Sequence, residues 1–239
     1  MTTYGQFCPV AKASEIFAER WTPLILRELL MGSHRFNELE RGLPRISRTL
    51  LSQRLKSLED VGLLVRQPSE NDGRPEYHLT QAGLDLYDVI ERLGAWSHRW
   101  FNPLVDLDNL DPTLLMWDIH RRLNRECLPD RQVVVQFDFS GDNTGSYWLV
   151  LEPGEPSVCW DPPGFEVDLL VECDSMTIHR IWLGYQSIED ALRRGTVRLE
   201  GPQELTRAFP GWLALSTFAG MPRGDQMLNM EPQAAAAPA

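Results

Sequence analysis

Between residues 41 and 56 the chain sets five cations, Arg41, Arg45, Arg48, Arg54 and Lys56, among hydroxyl and amide side chains, with no carboxylate in the run. If the residues after Ser47 form a helix, about 100° per residue gathers Leu51, Leu55 and Leu58 into one narrow stripe, with Leu50 on its flank. Thr49, Ser52, Gln53 and Lys56 then project from the opposite side, and Arg48 stands at the N-terminal edge. Such a face can form hydrogen bonds with a nucleic-acid duplex. Glutamine pairs with adenine in the major groove, Ser or Thr bonds either base, and Arg or Lys reaches guanine or a phosphate. The absence of acids suits this use, because each carboxylate would repel the phosphates that supply most of the affinity.

Other chemistries find less support. The four cysteines, Cys8, Cys127, Cys159 and Cys173, are far apart, with no C-x-x-C and no His at ligand spacing, so neither a zinc site nor a disulfide framework is expected. Asp138, Asp142, Glu152 and Asp161 lie among strand-like segments but make no spaced pair or nucleophile-base arrangement. His120 and His179 have no nearby ligand partners. The sequence therefore predicts a protein that is not an enzyme and needs no cofactor or metal.

The polar face needs elements to hold it. Residues 12–32 read as two helices, with Pro23 near a start and Gly32 just past an end, and 34–43 as a third, stopped by Gly42. Ser47 is a good N-cap for the basic helix. After Gly62 two extended pieces flank a polar loop containing Asp72, Gly73 and Arg74, which predicts a hairpin whose tip offers Arg74 to phosphates or a minor groove. Thr80 caps one long helix through Trp100, its Leu84, Tyr87, Ile90, Leu93 and Trp96 forming an apolar face free to pair with another subunit. Helices, hairpin and long helix in that order predict a winged helix-turn-helix.

A boundary is expected at 102–112, where Pro, Asp and Asn cluster. Beyond it, strand candidates at 131–141, 145–154, 155–160 and 166–174, two short helices, a strand at 196–201 and a helix opened by Pro202 predict an α+β domain. The tail at 223–239 has little to bury and is expected to be disordered. Charge divides the same way: residues 1–100 carry 13 Lys+Arg and 13 Asp+Glu, the remainder 10 and 21, so the formal charge of −11 belongs to the second part. There is no run of about 18 apolar residues and no signal-peptide plan, so a cytoplasmic protein with no membrane partner is expected.

Several separated pieces, in order, carry a family resemblance: Cys8-Pro9, Arg20-Trp21-Thr22, Ile25-Leu26-Arg27, Arg35-Phe36, Ile46-Ser47, Leu51, Leu58, Gly62-Leu63, Tyr77, Leu79-Thr80, Gly83 and Trp96. Over residues 8–100 the chain resembles the HxlR-type winged-helix transcription regulators. The resemblance implies a homodimer on a palindromic double-stranded DNA operator, with the helix after Ser47 as recognition helix and the first and last helices of the domain as dimer interface. The DNA-contacting candidates are Arg45, Ser47, Arg48, Thr49, Ser52, Gln53, Lys56 and Arg74. Some members sense oxidants or electrophiles through a cysteine at the Cys-Pro position, which makes Cys8 a redox candidate, with Lys12 and the following helix N-terminus to favour its thiolate.

Residues 112–221 resemble the sterol carrier protein fold, through an Asp-ended strand leading into a helix and a Gly-bounded strand, "GTVRLEGP", leading into the last helix. That resemblance implies a sheet covered by helices around an apolar tunnel, with Trp148, Trp160, Phe165, Trp182, Phe209 and Trp212 available to line it, and Phe218 beside them. The fold class expected is thus α+β: a winged-helix domain at 1–102 joined to a sterol-carrier-like domain at 112–222 that senses a small apolar ligand. A lipid carrier, or a Cys8 sensor with a structural C-terminal domain, is the alternative.

Overall fold

The computed structural model describes residues 3–101, 110–141 and 143–221. Most of the expected linker at 102–112, and the expected disordered tail, lie outside the described residues.

Four helices open the chain: α1 (Pro9–Phe17), α2 (Thr22–Leu30), α3 (Phe36–Gly42) and α4 (Arg48–Asp60). Ser47 caps α4 as its sequence position predicts, its hydroxyl accepting the Leu50 amide at 3.3 Å. Leu51, Leu55 and Leu58 turn inward and are buried with Ile25, Leu26, Leu29 and Leu39. At about 1.5–3 kcal/mol for each fully buried leucine, this stripe fixes which face of α4 meets solvent. Strands β1 (Leu64–Pro68) and β2 (Pro75–Leu79) form the hairpin, in register from Leu64 opposite Leu79 to Pro68 opposite Pro75. Its root is tied to the start of α3, the Tyr77 amide donating to the His34 carbonyl at 2.8 Å.

One local expectation changes. The helix after Thr80 is broken into α5 (Gln81–Leu84) and α6 (Tyr87–Trp100). A Cβ at Gly83 would overlap the Leu63 carbonyl, so α5 lies hard against the chain entering β1. Gly42 is the last residue of α3, where the sequence predicts the stop, and a Cβ there would overlap the Glu28 carboxylate. The glycine makes room for a buried charge.

The C-terminal region is a mixed sheet with helices, so the chain is α+β. A helix absent from the sequence reading, α7 (Pro112–Arg121), precedes it, with Asp111 accepting the Thr113 amide at 2.9 Å and Pro112 in the first turn. Strands β3 (Val133–Ser140), β4 (Gly145–Leu151), β5 (Ser157–Cys159), β6 (Leu169–Asp174) and β7 (Val197–Glu200) are ordered β5-β4-β3-β6-β7. Only β3 and β6 run parallel; the other neighbours are antiparallel. Helices α8 (Ser175–Trp182), α9 (Ile188–Arg194) and α10 (Gln203–Trp212) fall where strand-end caps and glycines place them, Asp174 accepting the Thr177 amide at 2.8 Å and Gly195 closing α9 at φ +71°. Alternation along β3 sends Val133, Val135, Phe137 and Phe139 to the core shared with Met116, Ile178 and Phe209, and Val134 to the other face with Trp148 and Val150.

Candidate nucleic-acid interface

Helix α4 presents Thr49, Ser52, Gln53 and Lys56 to solvent, side by side and opposite the buried leucines. Their spacing follows from helical geometry and the cap, and the packing of the leucine stripe on α2 and α3 turns them outward. The cations behave differently. Tertiary packing brings carboxylates to a stretch that has none in sequence: Arg48 Nη1 lies 2.6 Å from Glu40 Oε2, and Arg54 Nη2 lies 2.6 Å from Glu19 Oε2. The Arg48 guanidinium also sits 5.1 Å from the Phe36 ring centroid, and that of Arg41 5.6 Å from the ring of Trp117. Ser47 is engaged in its cap. Arg45 and Lys56 are exposed. The island is therefore partly structural: Arg54 ties α4 to the α1–α2 joint, where it also donates to the Arg20 carbonyl at 3.2 Å.

Arg74 stands out from the hairpin tip with its side chain 76% exposed. Asp72, a carboxylate expected to oppose a phosphate, instead organises the loop. It accepts the Arg74 amide at 3.1 Å and pairs with Arg35 Nη1 at 2.9 Å, while Arg35 Nη2 reaches Glu76 at 3.2 Å. The Arg74 amide, with Arg35 and Arg74 adding to it, holds the Asp72 carboxyl below the usual carboxylate range. The Ser69 hydroxyl, joined by Arg35 and His78, does the same for Glu76. Both acids are thus ionised and occupied at neutral pH.

A second constellation, invisible to local spacing, joins the two parts of the chain. Glu28 on α2 is buried with no exposed side-chain surface. Its Oε1 pairs with Arg27 Nη2 at 2.5 Å and its Oε2 with Arg121 Nη1 from α7 at 2.8 Å, and Arg121 Nη2 continues to Asp118 at 2.5 Å. The Arg121 guanidinium lies 5.3 Å from the Trp117 ring centroid, on the same ring that carries Arg41 from α3. Burial pushes the Asp118 carboxyl up, against the pull of Arg27 and Arg121. The signals that mark this site are a glutamate inside an apolar helix face at 28, a glycine at 42 and paired arginines at 121 and 122.

The remaining candidates disperse. Cys8 precedes α1 and is half-buried, but Lys12 pairs with Glu15 at 3.2 Å. Cys173 is buried in the sheet, and burial pushes its thiol up to about 12. Of the six aromatic ligand candidates, Trp182, Phe209 and Trp212 are packed in the helix-side core, and Trp160 meets Tyr147 at its edge. Trp148 lies on the opposite sheet face, donating to Gln136 Oε1 at 3.1 Å, and Phe165 is exposed. Four of the six thus share one core, and Trp148 and Phe165 stand apart from it. Phe218 instead lies on α6, against Gly94 and stacked on His98. Among the described residues no group of three or more His, Cys, Asp or Glu is placed to hold a metal, and no helix is long and apolar enough to cross a membrane.

A helix-turn-helix with a following hairpin, its second helix polar outward and leucine-lined inward, defines a DNA-binding protein of the winged-helix class. Comparison with known proteins agrees. Residues 16–104 match the family described as HxlR-like helix-turn-helix. The HTH-type transcriptional regulator YvaP of Bacillus subtilis is 40% identical over 101 residues, 41% of this chain and 94% of YvaP. Rv3095 of Mycobacterium tuberculosis, also an HTH-type transcriptional regulator, is 47% identical over 38% of this chain, which spans 58% of that relative. YodB of Bacillus subtilis is 34% identical over 40% of this chain and 88% of its own length. A crystal structure of quinone-bound YodB aligns with 38% of this chain and 96% of that one, at a TM-score of 0.34 and 34% identity. Through its N-terminal hundred residues the chain belongs to the HxlR family of DNA-binding transcriptional regulators. All these matches leave the C-terminal region unassigned.

Proposed function

We propose that the chain works as a cytoplasmic homodimeric regulator on a palindromic operator, with residues 1–102 as DNA-binding and dimerisation unit and 112–222 as a non-catalytic, sterol-carrier-like sensor of a small apolar effector. The observation that carries the DNA reading is the exposed polar face of α4, where Gln53 and Ser52 read bases and Lys56 meets phosphate. Thr49, Arg45 and Arg74 flank it, while Arg48 and Ser47 reach DNA only by leaving Glu40 or the cap. A dimer supplies what one copy lacks, since a domain of zero formal charge attracts DNA weakly and two copies of the face double the local cations. Exposed Trp96 and Trp100 on α6, with Phe7 and Val10 at the start of the domain, give the second copy an apolar seat. For the sensor role, support comes from the sheet covered by α8 and α10 and from the Asp174-capped and Gly195-bounded junctions.

Anisotropy titration of the full chain against its own upstream DNA and against random DNA of equal length tests the reading, alongside sedimentation for the dimer. Equal affinity for the two duplexes would overturn it. A second reading rests on Cys8, half-buried and placed directly before a helix N-terminus. If it is a switch, a quinone or diamide should release operator from the native chain and leave the Cys8→Ser variant bound; release from both would dismiss it.

A further inference from the structure

A cleft of about 490 Å³ opens between α2, α6 and the last described segment of the C-terminal region. That volume is in the range of small-molecule sites, which favour junctions between domains. Leu24 and Leu30 of α2 and Ile90 and Leu93 of α6 form its apolar walls, and Phe218, lying across Gly94, closes one side.

The charges around it are few. Glu91, Arg27 and Arg122 are among its lining residues. Arg27 is occupied by Glu28. Arg122 is held in place by its Nε, which donates to the Leu215 carbonyl at 2.8 Å, and among the described residues it has no ion-pair partner. A guanidinium anchored by one nitrogen at the edge of an apolar cleft suits a ligand with an apolar body and one anionic group.

We propose that this cleft, which the C-terminal region closes with Arg122 and Phe218, binds a small aromatic anion, its ring between Leu30 and Leu93 and its acidic group on Arg122. The inference deepens the effector reading and rests on it for its regulatory meaning. Its position gives binding a consequence. Arg27 and Arg122 are each the chain neighbour of one partner in the buried Glu28–Arg121 pair, and the walls come from both the DNA-binding domain and the C-terminal region. A ligand that favours one arrangement of those parts shifts the spacing of the two α4 helices in a dimer.

Two fluorescent probes test it on the full-length chain: the anion 1-anilinonaphthalene-8-sulfonate, and its uncharged counterpart N-phenyl-1-naphthylamine. Both should bind. Arg122→Gln should weaken the anion about tenfold, the loss of one charge-assisted hydrogen bond, while leaving the neutral probe within about twofold, and Arg122→Lys should restore part of the difference. Ser97→Trp, which fills the cleft from α6, should weaken both. Circular dichroism melts identify any variant that fails to fold, and the native chain's preference for the anion over the neutral probe then decides alone. Equal loss of both probes in Arg122→Gln, or no loss in Ser97→Trp, overturns the site. So does probe binding that vanishes as the chain dimerises, which would make the cleft an interface between copies. Operator affinity without probe is measured in parallel: intact operator binding with failed probe arms sinks the cleft alone, and the reverse sinks the regulator reading alone.

Discussion

Arg121, on the helix that opens the C-terminal region, closes on the buried carboxylate of Glu28 in the second helix of the DNA-binding domain, Nη1 to Oε2 at 2.8 Å. Replacing Arg121 by Ala leaves Glu28 without that partner in a site water does not reach. The expected loss is about 3–5 kcal/mol, read as a lowered midpoint in urea. Pairing Arg121→Met with Glu28→Leu should recover most of it, because two apolar groups replace two desolvated charges. Gly42→Ala should also destabilise, by about 1–3 kcal/mol, since its methyl competes with the Glu28 carboxylate for the same space.

Base reading should separate from phosphate attraction on α4. Gln53→Ala is expected to cost about 1–3 kcal/mol against the operator and little against random DNA. Glu40→Gln should act the other way. Freed from its partner at 2.6 Å, Arg48 becomes available to a phosphate, so the slope of log affinity against log salt steepens by about one on either duplex.

The wing is held by exposed ion pairs, so its prediction concerns order more than stability. Arg35→Ala should speed amide exchange at Arg74 and its neighbours while moving the thermal midpoint little, because these pairs are solvent-exposed and screened. Because Asp72 and Glu76 have depressed pKa values when folded, their contribution is present above the usual carboxylate range and is lost as pH falls through their folded values. Wing resonances should therefore broaden only in strong acid.

His120 predicts a pH effect in a milder range. Burial, with the positive charges of Arg121, Arg41 and Arg125, pushes its imidazole down from 6.5 to about 4, and its Nδ1 donates to the Trp117 carbonyl at 2.5 Å. Between those two values the unfolded chain binds a proton that the folded chain refuses, so stability falls as pH drops from about 6.5 to about 4. His120→Gln should flatten that part of the thermal midpoint's pH dependence.

Much of this was legible from spacing alone. Ser47 with three leucines at helical intervals determines which face of α4 is exposed, and turn residues bound β3 to β7, because these are local effects of backbone and burial. The partners of Arg48 and Arg54 were not legible: Glu40 and Glu19 reach them only once α3 and the α1–α2 joint are folded. Helix α7 was missed although Asp111 and Pro112 signal its start, because the Pro and Asp cluster before it reads equally well as a linker. Trp148 stands apart from the other core aromatics for a simple reason. Strand alternation turns Trp148 away from the face that buries Trp182 and Phe209.

Gly42, Glu28 and Arg121 together also decide how the protein can be taken apart. A chimera that joins the first hundred residues to a foreign sensor would inherit a hollow built around a carboxylate and leave one of its two counterions behind. A workable graft places its junction after Arg121, carrying α7 along as part of the DNA-binding half. In a purification of the shorter piece, the first sign of the wrong junction would be poor recovery of folded protein, before any operator is offered to it.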